Sequence, residues 1–171
     1  MRTRIGRLFG ALVVATSFVA AGATGASAGN LVERPFDVEI HSEFMSVPDV
    51  DCPSGYLQLI TGTGHASHMG QLTLHGESCL GSGQGVVTWV AANGDEITHV
   101  YTSVMGDIGP DGSTWIEFYD DDAYGTGRFE QVSLGEGPLA GMVQFFDEFG
   151  MTGMLVAEYH GTITYDASDR S

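Results

Sequence analysis

The chain has 171 residues, 43% of them hydrophobic, with 22 Asp+Glu against 6 Lys+Arg and a formal net charge of −16. So acidic a surface repels phosphate backbones and anionic headgroups, which excludes nucleic acid and anionic membranes as partners and matches a protein kept in solution by its charge. From Asn30 onward there is no G-x-S-x-G elbow, Walker loop or H-E-x-x-H, so the usual sequence marks of serine hydrolases, P-loop NTPases and zinc proteases are missing.

Arg2, Arg4 and Arg7 form a basic n-region, Leu8 to Ala21 is apolar and rich in small residues, and Ala26-Ser27-Ala28 matches a cleavage box. This predicts a secretory signal peptide over residues 1–28 and a single secreted, extracellular domain over 29–171. The apolar run is short for a bilayer span, and no later stretch is long and apolar enough to cross a membrane. Beyond the cleavage point the basic residues are Arg34, Arg128 and Arg170, with no Lys, so the mature chain carries 3 basic against 22 acidic side chains. In an oxidising compartment Cys52 and Cys79 are expected to pair, closing a loop worth on the order of 3 kcal/mol. Two lone cysteines without a C-x-x-C are a poor basis for a metal site.

Residues 29–35 read as an unstructured lead-in. Phe36 to Met45 alternates, with Val38, Ile40, Ser42 and Phe44 on one face and Asp37, Glu39, His41 and Glu43 on the other, the pattern of a half-buried strand. Cys52-Pro53-Ser54-Gly55 is loop chemistry. Tyr56 to Thr61 is a short strand ending in Gly62-Thr63-Gly64, and His65 to Ser78 reads as one further strand with Ala66, His68, Leu72 and Leu74 on its inner face. Next come two β-rich runs, Val86–Ala92 and Asp95–Tyr101, flanking Asn93-Gly94, the strongest short signal of a two-residue type I′ hairpin. That turn sets a register in which Val90 faces Ile97, Thr88 faces His99 and Val86 faces Tyr101. Both faces of the hairpin carry apolar residues, which suits a small barrel partly covered outside, as in a homo-oligomer. Further strands are expected at Thr114–Asp120, briefly at Arg128–Ser133, at Leu139–Asp147 and at Met151–Tyr165, separated by Gly- and Pro-rich turns. No helical periodicity survives after the leader. Eight to nine closely spaced strands predict an all-β antiparallel barrel or sandwich, with the barrel favoured.

Three stretches, and with them the last strand, carry a likeness to a known family. Gly62-Thr63-Gly64-His65-Ala66-Ser67-His68-Met69-Gly70 resembles the G-x-G-x-A-[ST]-H-[LM]-G stretch of bacterial and plant proteins with the allene oxide cyclase-like barrel. Ala91-Ala92-Asn93-Gly94-Asp95 is similar to their AANGD hairpin and Gly125-Thr126-Gly127-Arg128-Phe129 to their GTGRF, while Gly161-Thr162-Ile163-Thr164-Tyr165 resembles their last strand. The resemblance implies an antiparallel, eight-stranded calycin-like barrel with an apolar cavity. Such barrels include plant cyclases, dirigent proteins that steer radical coupling and bacterial cyclases that close polyketide rings. The matched residues sit at turns and strand ends, and no member's catalytic set maps onto this chain.

Among residues able to carry chemistry, His65, His68 and His75 invite a metal, but in one extended strand His65 and His68 face opposite ways and His65 and His75 lie roughly 33 Å apart. No metal or cofactor is therefore expected. His68, His99, Tyr101, Glu117 and Glu158 are the candidates for a polar group inside the barrel. Trp89, Trp115 and Phe118 are the candidates for a ligand pocket, unless aromatics fill the lumen. Arg128 is read as a structural clasp paired with Glu117 or Glu158, Asn93 and Gly94 as architecture, and Asp120-Asp121-Asp122 as a solvated acidic turn rather than a Ca²⁺ loop. Two functions follow: a secreted barrel that binds a small hydrophobic molecule and steers a cofactor-free cyclisation, or a non-catalytic extracellular binding module.

Overall fold

A computed structural model describes residues 30–167; the expected signal peptide and Arg170 lie outside the described residues. Nine strands follow one another: β1 (Leu31–Pro48), β2 (Tyr56–Ala66), β3 (Gly70–Cys79), β4 (Gln84–Ala91), β5 (Glu96–Met105), β6 (Ser113–Gly125), β7 (Ser133–Leu134), β8 (Leu139–Phe145) and β9 (Thr152–Asp166). A single 3₁₀ turn, Gly127–Phe129, lies between β6 and β7. The strands run antiparallel in the order β1-β2-β3-β4-β5-β6-β8-β9, and β9 pairs back onto β1, so eight strands close the sheet into a barrel while the two-residue β7 pairs with β9. Closure removes free edges, and alternate residues along each strand face the lumen.

The alternation of β1 comes out as read: Phe36, Val38, Ile40, Ser42 and Phe44 are buried and the residues between them exposed. Its beginning does not. Residues 31–35 are not a loose lead-in but pair with Thr162 to Asp166 of β9. Nor does Gly62-Thr63-Gly64 end a strand. It runs inside β2 opposite Ser42, His41 and Ile40, and a side chain at Gly62 would strike the carbonyl of His41, so these glycines let two strands approach closely. The single strand expected over 65–78 is instead the β2–β3 hairpin, turning at Ser67-His68-Met69, with His68 at φ +70.

The β4–β5 hairpin forms, one residue out of the expected register. Trp89 pairs with Ile97, Val87 with His99 and Gly85 with Tyr101. The cause is at the turn. Ala91 N–H donates to Asp95 O (2.9 Å) and Gly94 N–H to Ala91 O (2.9 Å), with Gly94 at φ +88 and Asn93 at an ordinary negative φ. This is a three-residue loop, Ala92-Asn93-Gly94, closed by a left-handed Gly, in place of a two-residue type I′ turn. A one-residue slip exchanges faces. Trp89 and Val87 therefore share the lumen with Ile97, His99 and Tyr101, while Val86, Thr88 and Val90 turn outward.

The two ends of the barrel differ. At one end Phe36, Phe129 and Ile163 are fully buried and plug the lumen. Arg128 closes this end from outside: its guanidinium donates to the carbonyl of His68, lies 3.4 Å from Asp95 through Nε, and stacks 4.8 Å from the Phe129 ring centroid. The Nε contact is an ion-pair distance without hydrogen-bond alignment. Asp95, not Glu117 or Glu158, is thus the partner of Arg128, and Asn93 Nδ2 donates to the same carboxylate at 2.9 Å. At the other end Cys52 and Cys79 are disulfide-bonded, tying the β1–β2 loop to the end of β3. Among the described residues no helix is long and apolar enough to cross a membrane.

Candidate functional site

The site begins with the inward row of β5. His99 is 2% exposed and lies between Ile97 and Tyr101, with its ring centroid 4.0 Å from that of Trp89. Its Nδ1 is 3.0 Å from Asp120 Oδ1. A carboxylate accepts, so Nδ1 carries the proton and donates, which leaves Nε2 as the basic nitrogen. Nε2 has no hydrogen-bond partner, and neither do the buried Ser42 Oγ and Trp89 Nε1. All three residues line one small, largely apolar chamber with about 40 Å³ of free volume. Natural interiors pair nearly all such groups, and three of the five unpartnered buried atoms among the described residues surround this one space.

Asp120 shares the inward face of β6 with Phe118, two residues before it, and the strand bulges just beyond it. Tyr101 pairs with Asp120 and Val100 with Asp122, leaving Asp121 as an extra residue in β6. Thr102 Oγ1 donates to Asp121 at 2.6 Å on the outside, and Asp120 is aimed inward at His99. The run Asp120-Asp121-Asp122 is therefore strand and bulge, not the solvated turn expected from its composition. Tyr101, the cross-strand partner of Asp120, also lines the chamber, its ring edge-on to Phe118 at 5.1 Å. It lies flat across Gly85, where any side chain would collide with the phenol. Burial pushes the Tyr101 phenol above its usual pKa, with Ser78 pulling the other way, so the group stays a protonated donor at neutral pH.

The chamber opens toward the disulfide end. Ser42, Ile60, Tyr101, Phe118 and Leu155 line both it and a wider mouth of about 290 Å³, whose rim includes Cys79, Leu80, Met105 and Phe145. The mouth exceeds the about 150 Å³ that suffices for benzene, and its mostly apolar lining includes the polar Gln58, Ser78, Gln84 and Ser103.

Of the residues singled out from the sequence, His99, Tyr101, Trp89 and Phe118 meet at this site. The others do not. His68 sits in the β2–β3 turn, with Nε2 3.0 Å from Pro35 O and Nδ1 3.4 Å from the Tyr165 hydroxyl, rather than on a strand facing the lumen. Glu117 accepts from Tyr119 Oη at 2.6 Å on the outer wall, and that bond raises the Tyr119 pKa. Glu158 is exposed beside His160, 3.5 Å away. Trp115 is 47% exposed on the outer face of β6. Among the described residues no group of three His, Cys, Asp or Glu side chains could hold a metal ion. Ser42, Asp120 and Tyr159 were not read as site residues. Ser42 carried a signal, a hydroxyl on the otherwise apolar face of β1. Asp120 carried one as well: it continues the alternating face of Thr114, Ile116 and Phe118, although its acidic neighbours point to a solvated turn.

No family model matches the chain, and neither a curated protein nor a solved structure matches it.

Proposed function

We propose that the barrel, acting outside the cell, admits a small neutral apolar molecule through the mouth and receives its one polar end in the inner chamber. There His99, oriented by Asp120, moves a proton without a cofactor, as an enolisation, isomerisation or ring closure requires. The observation that carries this reading is the His99 Nε2 atom, buried, unpaired and basic, beside an orphaned Trp89 N–H. A group that satisfies both must accept from Trp89 and offer a proton to His99: a hydroxyl, or a carbonyl with an acidic α-hydrogen. Tyr101 and Ser42 add donors for a developing oxyanion. A carboxylate is disfavoured by Asp120 behind His99 and by the acidic chain. The likeness of three turn segments to the allene oxide cyclase-like barrels agrees with a cofactor-free cyclase.

A second reading, binding without turnover, rests on the same chamber. Its free volume of about 40 Å³ is near the share of a single water, so a ligand could be anchored by one oxygen and go no further.

4-tert-Butylcyclohexanone, a neutral ketone with exchangeable α-hydrogens, separates the two in D₂O. Proton transfer by His99 makes the protein accelerate α-deuteration, and His99→Gln reduces the acceleration by about 100-fold or more. Quenching of Trp89 in a Trp115→Phe background without deuteration means binding alone. Neither response, with equal indifference to the hydrocarbon and carboxylate analogues, contradicts both readings.

A further inference from the structure

The mouth is not the only opening onto the dyad. β6 pairs with β8 only as far as Phe118–Leu139, and β9 beyond Glu158 has no β8 partner. The gap left in the wall is spanned by residues 127–137, whose two strand residues pair with β9 and not with β6. A lateral pocket of about 320 Å³ lies at this seam, lined by Tyr119, Asp120, Leu134, Gly135, Glu136 and Gly137. Asp120 lines both this pocket and the inner chamber. Its side chain is 27% exposed while that of His99 is 2% exposed. The roof of the pocket is pinned from inside, since Tyr159, which also lines the chamber, donates its hydroxyl to Gly135 O at 3.0 Å. The nearness of Asp120 and Tyr159 shows in the Tyr159 phenol, raised first by burial and then by the Asp120 charge.

We infer that the lateral pocket is the proton port of the site, with Asp120 as the positioning group through which His99 exchanges protons with solvent while a ligand occupies the mouth. A proton taken up at Nε2 makes the imidazolium. Its Nδ1 proton passes to the Asp120 carboxylate, leaving neutral His99 protonated on Nε2, and Asp120 releases that proton to water in the lateral pocket. Run in reverse, water re-protonates Asp120, which returns the proton to Nδ1, and Nε2 gives its own to the product. Protons balance and no redox partner is needed. The charged and titratable groups facing this path are Glu136 from the 127–137 segment, Tyr119 on β6, Tyr101 on β5 and Tyr159 on β9. The inference rests on His99 being the group that meets the ligand, but its test needs no ligand, so port and proposed function can fail separately.

The test follows solvent exchange of the His99 Nδ1 proton by NMR in protein with ¹⁵N-labelled histidine. The mouth is plugged by coupling a bulky maleimide to Ser103→Cys, and the lateral pocket is capped in separate proteins by Glu136→Trp or Leu134→Trp. The expected result is exchange unchanged by the plug and slowed about tenfold by either cap, as local protection slows exchange elsewhere. Exchange slowed by the plug and not by the caps overturns the port, as does equal slowing by both or by neither. Glu136 is exposed, so its variant keeps the test alive if Leu134→Trp misfolds.

Discussion

The plugged end and the open end of this barrel solve opposite problems with the same strands. At the plugged end the polar groups converge on one another: Arg128 donates to the His68 carbonyl and pairs with Asp95 although its Nε lacks hydrogen-bond alignment, Asn93 donates to Asp95, and Phe36, Phe129 and Ile163 are fully buried. Toward the open end the packing stops short, and Ser42, Trp89 and His99 keep buried polar atoms with nothing to bond. The plugged end leaves one such atom, Arg128 Nε, within ion-pair distance of a carboxylate, whereas the three around the chamber have no hydrogen-bond partner and no ion pair. Local inconsistency of this kind is where function is expected. The comparison also sorts the motifs. The segments Ser67-His68-Met69, Asn93-Gly94 and Gly127–Phe129 converge on the plugged end, around Arg128, and mark architecture, while the unpartnered atoms of Ser42, Trp89 and His99 line the chamber.

Breaking the plug gives the largest effect. Phe129→Ala is expected to cost about 3–5 kcal/mol, read from the denaturant midpoint, because a fully buried ring leaves a cavity its neighbours cannot close. Removing the open end's own fastening, with Cys52→Ser and Cys79→Ser together, costs on the order of 3 kcal/mol. It also loosens the mouth, whose rim includes Cys79. Arg128→Ala costs about 1–2 kcal/mol, since a partly exposed ion pair and a hydrogen bond to the His68 carbonyl are lost together. A double-mutant cycle with Asp95→Ala apportions the pair.

The sharpest contrast comes next, with the sign reversed. Ser42→Ala removes an unpaired buried hydroxyl and should leave stability unchanged or raise it by about 1 kcal/mol, while weakening retention of the ketone. A substitution that costs stability there as it does at the plug would dissolve the distinction between the ends. The smallest effect is one of pH. Asp147 accepts from the amides of Phe149, Met151 and Thr152 and from the Thr152 hydroxyl in the β8–β9 loop, which holds its pKa down to about 2. A depressed carboxyl stabilises above its unfolded value, 3.8, and that contribution fades as pH falls through about 2. Amide protection at Met151 and Thr152 should therefore hold at pH 5 and decline below about pH 4, and Asp147→Asn should remove the dependence.

Much of the barrel was legible. The strict alternation of β1, the turn residues between strands and the cysteine pair point to the architecture without any structure. The misreadings share one cause, which is that a period-two pattern has no absolute phase. Asn93-Gly94 marks a turn, but whether the loop takes two residues or three depends on the conformation of Ala92 and Asn93, and that single residue decides whether Trp89 or Thr88 joins His99 in the lumen. The bulge at Asp121 is the same difficulty within a strand. It reverses the phase between Asp120 and Asp122, so that Asp120 faces His99 while Asp121 turns out to Thr102. The glycines at 62 and 64 read as breakers because their strand role appears only when Ser42 and Ile40 lie against them. Tyr159 and Asp120 meet across a seam that no local pattern reveals.

The most direct test of the central claim is the ¹⁵N signal of His99 Nε2, followed together with the Trp89 indole N–H as the ketone is titrated into the Trp115→Phe protein. Engagement of the chamber by the ligand's oxygen moves both signals along one saturable curve, and the hydrocarbon analogue leaves them in place. A curve carried by residues at the rim, with His99 and Trp89 unmoved at saturation, would contradict it.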